Sequence, residues 1–174
     1  MDEVGTDAFE NTAWYDNSPD GLVYIGSTAY RYKGLGAGHV SINCGTRYIA
    51  GNCFSGQRDI LSVDVPDGML KIGNEAFYRC DNIRNFVVPE SVAELRSIPD
   101  KCTDISFKDG VEPLSVDLNV FCDSLRRLYI GREINGPTSG FMGYLPNLHT
   151  LTFGKNITKL TSDMVSSDDF AYPV

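Results

Sequence analysis

The stretch IGNEAFYRCDNIRNFVVPESV, Ile72 to Val92, decides how this chain is read. Its later part, Asn85-Phe86-Val87-Val88, alternates in character and is rich in β-branched and aromatic residues, which predicts a short strand with one face buried. Its earlier part is a turn and a compact segment with room for one or two helical turns. A unit this small cannot bury its apolar side alone, so it must stack on copies of itself.

The copies recur at 23 residues. Val40, Val63 and Phe86 form one column, and Ile42, Val65 and Val88 another. Leu128 falls on Leu151 and Ile130 on Phe153. Further columns run Ile49–Ile72–Leu95, Val111–Ile134–Ile157 and Leu114–Pro137–Leu160, and Phe54 falls on Phe77. Phe86 to Ile105 is 19 residues, four short of the rule. Ile72 to Ile83 takes 11 steps where Leu95 to Cys102 takes 7, so one coil has lost about a helical turn. The strand segments lie at 61–65, 85–88, 104–108, 127–130 and 150–154, with one more near 40. The expected fold is an α/β repeat: a solenoid with a parallel ladder of about six strands, roughly 24 Å long at the usual strand spacing.

Composition agrees with a folded chain. Of 174 residues, 42% are hydrophobic and 22% charged, which excludes disorder and collagen. No apolar run reaches the roughly 18 residues of a membrane span, and Asp2, Glu3, Asp7 and Glu10 exclude a signal peptide in the first stretch. A net charge of −8 argues against nucleic acid or an anionic membrane as partner, and no direct membrane insertion is expected.

The residues Ile72-Gly73, Ala76-Phe77, Cys80, Ile83, Phe86, Val88-Pro89 and Val92 resemble the BspA-like leucine-rich repeat. Ile49-Ala50-Gly51, Phe54, Ile60, Val63 and Val65-Pro66 match it less fully. The segment at 5–34, with Thr12-Ala13-Trp14-Tyr15, Pro19-Asp20-Gly21, Tyr24-Ile25-Gly26 and Tyr32-Lys33, is similar to an insert that interrupts one repeat in that family. Beyond residue 92 the ladder continues without the signature. The resemblance implies a right-handed leucine-rich-repeat solenoid on secreted or cell-surface proteins of bacteria and some protists. It implies an adhesion or protein-binding module without catalytic activity.

The insert spans 10–36 within a single 1–174 solenoid. Asn17 to Gly21 is a dense turn signal, and two strand-like segments flank Gly26-Ser27-Thr28, so a β-hairpin is expected. Trp14, Tyr15, Tyr24, Tyr30 and Tyr32 crowd into it. They form either a binding platform or a small core that pins the hairpin. The second weighs more, because a lone two-stranded hairpin needs such packing.

Cys80 and Cys122 share a repeat position two units apart, too far for a disulfide, and Cys102 falls on a core column. These three read as buried small hydrophobes. A Cys44–Cys53 bridge is left open. No spacing suits zinc, and neither His39 nor His149 sits in a nucleophile motif, so no metal, cofactor or enzyme activity is expected. Asp163, Asp168 and Asp169 lack the order of a calcium loop and read as a solvated segment. Asn156-Ile157-Thr158 matches a glycosylation sequon only weakly, because Ile157 sits in a core column.

Residues between the buried strand positions should form an open binding face: Asp64, Asn85, Val87, Asp104, Ser106, Arg127, Tyr129, Thr150 and Thr152, with Arg127 and Tyr129 as anchors. The expected partner is an extracellular protein or glycan. The alternatives are a rigid spacer, or a glycan-binding accessory domain of a larger extracellular enzyme. Val174 falls 23 after Leu151, and Val4 to Phe9 is part of a unit. Neither end reads as capped, so a slice of a longer protein, monomeric or weakly dimeric end to end, is expected.

Overall fold

The computed structural model describes residues 4–36, 38–117, 123–136 and 145–159. Cys122, Pro137, Leu160, Asp163, Asp168, Asp169 and Val174, used in the readings above, lie outside them. In chain order the elements are α1 (Ala13–Asp16), β1 (Gly21–Ile25), β2 (Thr28–Lys33), β3 (Gly38–Ser41), β4 (Tyr48–Ile49), β5 (Ile60–Asp64), β6 (Lys71–Ile72), β7 (Asn85–Val88), β8 (Glu94–Leu95), β9 (Asp104–Phe107), β10 (Leu114–Val116), β11 (Arg127–Ile130), β12 (Ile134–Asn135) and β13 (Thr150–Phe153).

The expected ladder is present. Val40 pairs with Val63, and Phe86, Ile105, Leu128 and Leu151 follow one another in parallel register. It is divided, however. β3 pairs with β5, and β7, β9, β11 and β13 form a separate four-stranded sheet. β5 and β7 lie in adjacent coils without a paired residue between them. A second parallel ladder, not anticipated as a sheet, runs β4-β6-β8-β10-β12 and is extended by the hairpin strands β2 and β1. The apolar core lies between the two ladders, and Ile49, Ile72 and Leu95 face it in the predicted register.

Two expected columns are corrected. Val111 is 82% exposed, and Leu114, fully buried, pairs with Ile134 and not with a residue 23 further on. The shortened coil reaches the first ladder four residues early, and the chain recovers part of the difference before the second. Leu95 then pairs with Val116, and Leu114 to Ile134 is 20 residues. The two ladders therefore keep different periods after the deletion.

The expected helical turns are also corrected, and the α/β description becomes a nearly all-β solenoid. Among the described residues the one α-helix is the four-residue α1. In place of helix, 50–57 and 73–80 are stacked turns. Asn52 and Glu75 have φ near +58° and +52°, Gly56 and Arg79 near +79° and +57°, and such left-handed residues end a helix. The same pair of positions recurs at Asp7 and Asn11. Amides alternate in direction. Cys53, Ser55 and Gln57 donate three residues back within their own turn, whereas Asn52, Phe54 and Gly56 donate to Asn74, Ala76 and Tyr78 of the next coil.

The short coil cannot continue that stack with backbone carbonyls, and side chains substitute. The Phe77 amide donates to Ser97 Oγ at 3.1 Å in a buried site, and the Arg79 amide donates to the Asp100 carboxylate. Burial first, and Asp81 second, push the Asp100 carboxyl above its ordinary range. Ser97→Ala leaves a buried donor unmet and should cost about 1–3 kcal/mol in chemical denaturation. A cost near zero would show that Ser97 does not replace the missing turn.

The hairpin is built as expected, with Ile25 facing Thr28 across a two-residue loop. Val23 faces Arg31 but Tyr24 faces Ala29, so Tyr30 is an extra residue, a β-bulge. The bulge turns Tyr30 onto a satellite core of Val4, Val23 and Ala50, packed by Phe9, Tyr15 and Ile25. Leu22, Tyr24 and Tyr32 pack against the main core instead. β1 pairs antiparallel along β2, so the hairpin extends the second ladder beyond β4.

Candidate functional site

The first ladder presents alternate residues outward, because successive side chains of a strand point to opposite faces. Asn85, Asp104, Arg127 and Thr150 stand in one register, and Val87, Ser106, Tyr129 and Thr152 in the next. Together with the backbone between them they line a shallow groove of about 330 Å³. Eight of the nine expected face residues are thus brought together. Asp64 is not among them, because the unpaired boundary between β5 and β7 ends the groove at β7.

The groove has one polar axis and one apolar spot. Arg127 Nε donates to Asp104 Oδ1, and Thr103 Oγ1 donates to Asp104 Oδ2 at 2.7 Å. The Arg127 bond holds the Asp104 carboxyl below its usual range, against the opposing effect of burial. The same bond raises Arg127 above its ordinary value. Tyr129 donates its hydroxyl to Asp109 at 2.8 Å, which pushes the phenol pKa up. The ring is therefore fixed before any partner arrives, which reduces the ordering cost of binding. Val87 keeps 44% of its surface exposed and supplies the apolar contact.

Asp64 belongs to a different cluster that the sequence reading did not identify. His39 Nδ1 lies 2.8 Å from Ser62 Oγ, and its Nε2 lies 3.1 Å from both Ser41 Oγ and Asp64 Oδ2. The residue types match a hydrolytic triad. The only signal for it in the chain was register, since His39 and Ser62 are 23 apart and Ser41 and Asp64 likewise. The His39 and Asp64 side chains remain 55% and 69% exposed, so water screens this cluster.

Among the insert aromatics, four rings are structural. Tyr30 is 1% exposed and meets Phe9 and Tyr15 edge-on at 5.8 Å each. Tyr30 Oη accepts from the Phe9 amide at 2.8 Å, and Tyr24 Oη accepts from the Asn43 amide at 3.0 Å. Tyr32 packs beside Phe54. Trp14 alone is half exposed, at 49%.

Cys44, Cys53, Cys80 and Cys102 are free thiols. Cys53, Cys80 and Cys102 are fully buried. Burial pushes the Cys80 thiol up to about 12 and the Cys53 thiol higher still, so neither is a nucleophile at neutral pH. Cys80 Sγ instead donates to the Phe54 carbonyl at 3.0 Å, joining two coils. Among the described residues no three His, Cys, Asp or Glu side chains converge as metal ligands.

Compared with known proteins, the chain matches the model of the BspA type Leucine rich repeat region in six copies over residues 1–99. No curated protein and no solved structure matches it.

Proposed function

This chain belongs to the BspA-type leucine-rich-repeat family, and from that premise we propose that it is an adhesin-like module that binds an extracellular protein or glycan through the groove on its first ladder. The family is one of repeat modules, typical of surface or secreted proteins, and its solenoid domains are generally non-enzymatic. Among the described residues no helix is long and apolar enough to cross a membrane.

The observation that carries the proposal is the groove itself. Eight outward residues from four consecutive strands converge there, with Arg127 and Tyr129 at its centre and already oriented by Asp104 and Asp109. Arg and Tyr are the residue types that most often dominate binding energy. The insert aromatics support a glycan-binding accessory role less well, because four of the five rings pack into the two cores and the fifth, Trp14, packs edge-on against Phe9 at 5.4 Å.

The test is capture of immobilised extracellular-matrix proteins and glycans by the chain and by an Arg127→Ala/Tyr129→Ala variant. Capture should weaken by at least about tenfold. Undiminished capture by the variant would remove the groove from the binding site.

A further inference from the structure

The positions just before the first-ladder strands carry a feature that the groove does not use. Arg84, Thr103, Arg126 and His149 occupy one position on successive coils, and backbone bonds fix that register. The Arg84 carbonyl accepts from the amides of Thr103 and Asp104 at 2.8 and 3.0 Å. The Thr103 carbonyl accepts from Arg126 and Arg127 at 2.8 and 3.0 Å, and the Arg126 carbonyl from His149 and Thr150 at 2.9 and 3.0 Å. At the usual strand spacing, Arg84 and Arg126 therefore stand roughly 10 Å apart on a rigid backbone. A cleft of about 400 Å³ lies against them, lined also by Lys101, Thr103, Asp123 and Asn147.

The local charge opposes the charge of the chain. The molecule carries −8 overall, yet in this cleft cations outnumber carboxylates. Its one carboxylate, Asp123, is held by Lys101 at 3.1 Å. Arg84 donates Nη1 to the backbone carbonyls of Asp81 and Lys101. Neither Arg84 nor Arg126 makes an ion pair among the described residues, although Arg126 is close enough to help lower the Asp104 carboxyl. Two guanidinium groups on one ladder are thus left with charge to spare for an anion.

We infer that this column binds an anionic polysaccharide, carboxylated or sulfated, laid across the coils. Guanidinium groups take carboxylate and sulfate oxygens in paired hydrogen bonds. The remaining lining is hydroxyl and amide, from Thr103, Ser124 and Asn147, which suits sugar hydroxyls. The cleft has no apolar pocket for peptide anchors and no aromatic platform for bases. A regular polymer with spaced charges matches cations that recur on alternate coils. This site goes beyond the groove reading and stands independently of it.

The test is calorimetric titration with a heparin-derived hexasaccharide, and with a polyglutamate peptide of equal charge, at low ionic strength and at about 0.15 M salt. The hexasaccharide should bind more tightly than the peptide and weaken as salt rises. Arg84→Ser/Arg126→Ser should reduce its affinity by roughly tenfold or more. Arg126→Ser alone, which removes no side-chain hydrogen bond among the described residues, should reduce it by several-fold, while Lys159→Ser leaves it unchanged. Equal affinity of wild type and Arg126→Ser overturns the inference. So does an equal loss in Lys159→Ser, which would mark undirected attraction, or polyglutamate binding as tight as the hexasaccharide.

Discussion

Phe77→Ala should destabilise the solenoid by about 3–5 kcal/mol, the range for emptying a buried aromatic site. Phe77 is fully buried. Its ring stacks on Phe54 at 5.2 Å with 5° between planes, and it meets Phe86 edge-on at 4.9 Å. Tyr32 continues the pile beyond Phe54 at 6.0 Å. Four rings thus run along the solenoid axis, and Phe77 joins the hairpin side to the first strand of the four-stranded sheet. The loss combines transfer, cavity and ring-pair contributions, and it compares with a typical total stability of about 5–15 kcal/mol. Stability in a repeat protein passes between neighbours, so the variant should also unfold less cooperatively. Urea denaturation followed by far-ultraviolet dichroism measures both. A cost below about 1 kcal/mol would mean that the pile collapses readily and does not join the coils.

Gly73→Ala should be nearly as damaging, by a different cause. A Cβ at Gly73 would lie 2.7 Å from the Gly51 amide nitrogen and 2.9 Å from the Ala50 carbonyl carbon and Ile49 oxygen. These are backbone atoms, so no side chain can swing aside. The coils cannot part to make room, because the Gly73 amide donates to the Ile49 carbonyl at 2.9 Å beside paired β4 and β6. The expected loss is at the upper end of the range for overpacking, about 3 kcal/mol. Gly5→Ala serves as the control, since a Cβ there meets nothing within 4 Å. Thermal unfolding of the two variants side by side is the measurement. Equal melting temperatures would show that coil contact at Gly73 is not limiting.

Much of this architecture was legible because stacking repeats one environment at a fixed offset. Phe54 and Phe77 share a repeat position and stack in space; Ile49, Ile72 and Leu95 share a column and pair. The deletion was legible as well, since Phe86 pairs with Ile105 across the 19-residue interval. What failed has physical reasons. Ala76, Phe77 and Cys80 show a helical spacing, but the same spacing arises when a turn with left-handed Glu75 and Arg79 buries one side. Val111 was assigned to the core because period was measured on the first ladder, and a deletion need not be absorbed equally by both. The face residues followed from alternation and register, except at Asp64, where an unpaired boundary interrupts a column that the residues alone continue. The His39 cluster depended on side-chain rotamers, which periodicity does not specify.

The division between β5 and β7 has a mechanical consequence. In a solenoid the hydrogen bonds between coils lie along the long axis, so a pull on the two ends loads them in series. At the other junctions between β3 and β12 two ladders share that load. At β5 and β7 one ladder contributes no paired residues, and the tension falls on the β6–β8 pairing, the turn stack and the ring of Phe77. Between β3 and β12 the molecule is built to yield first at this plane under shear or traction, leaving the groove on β7 to β13 intact on one side and the β3–β5 and β4–β6 pairings intact on the other.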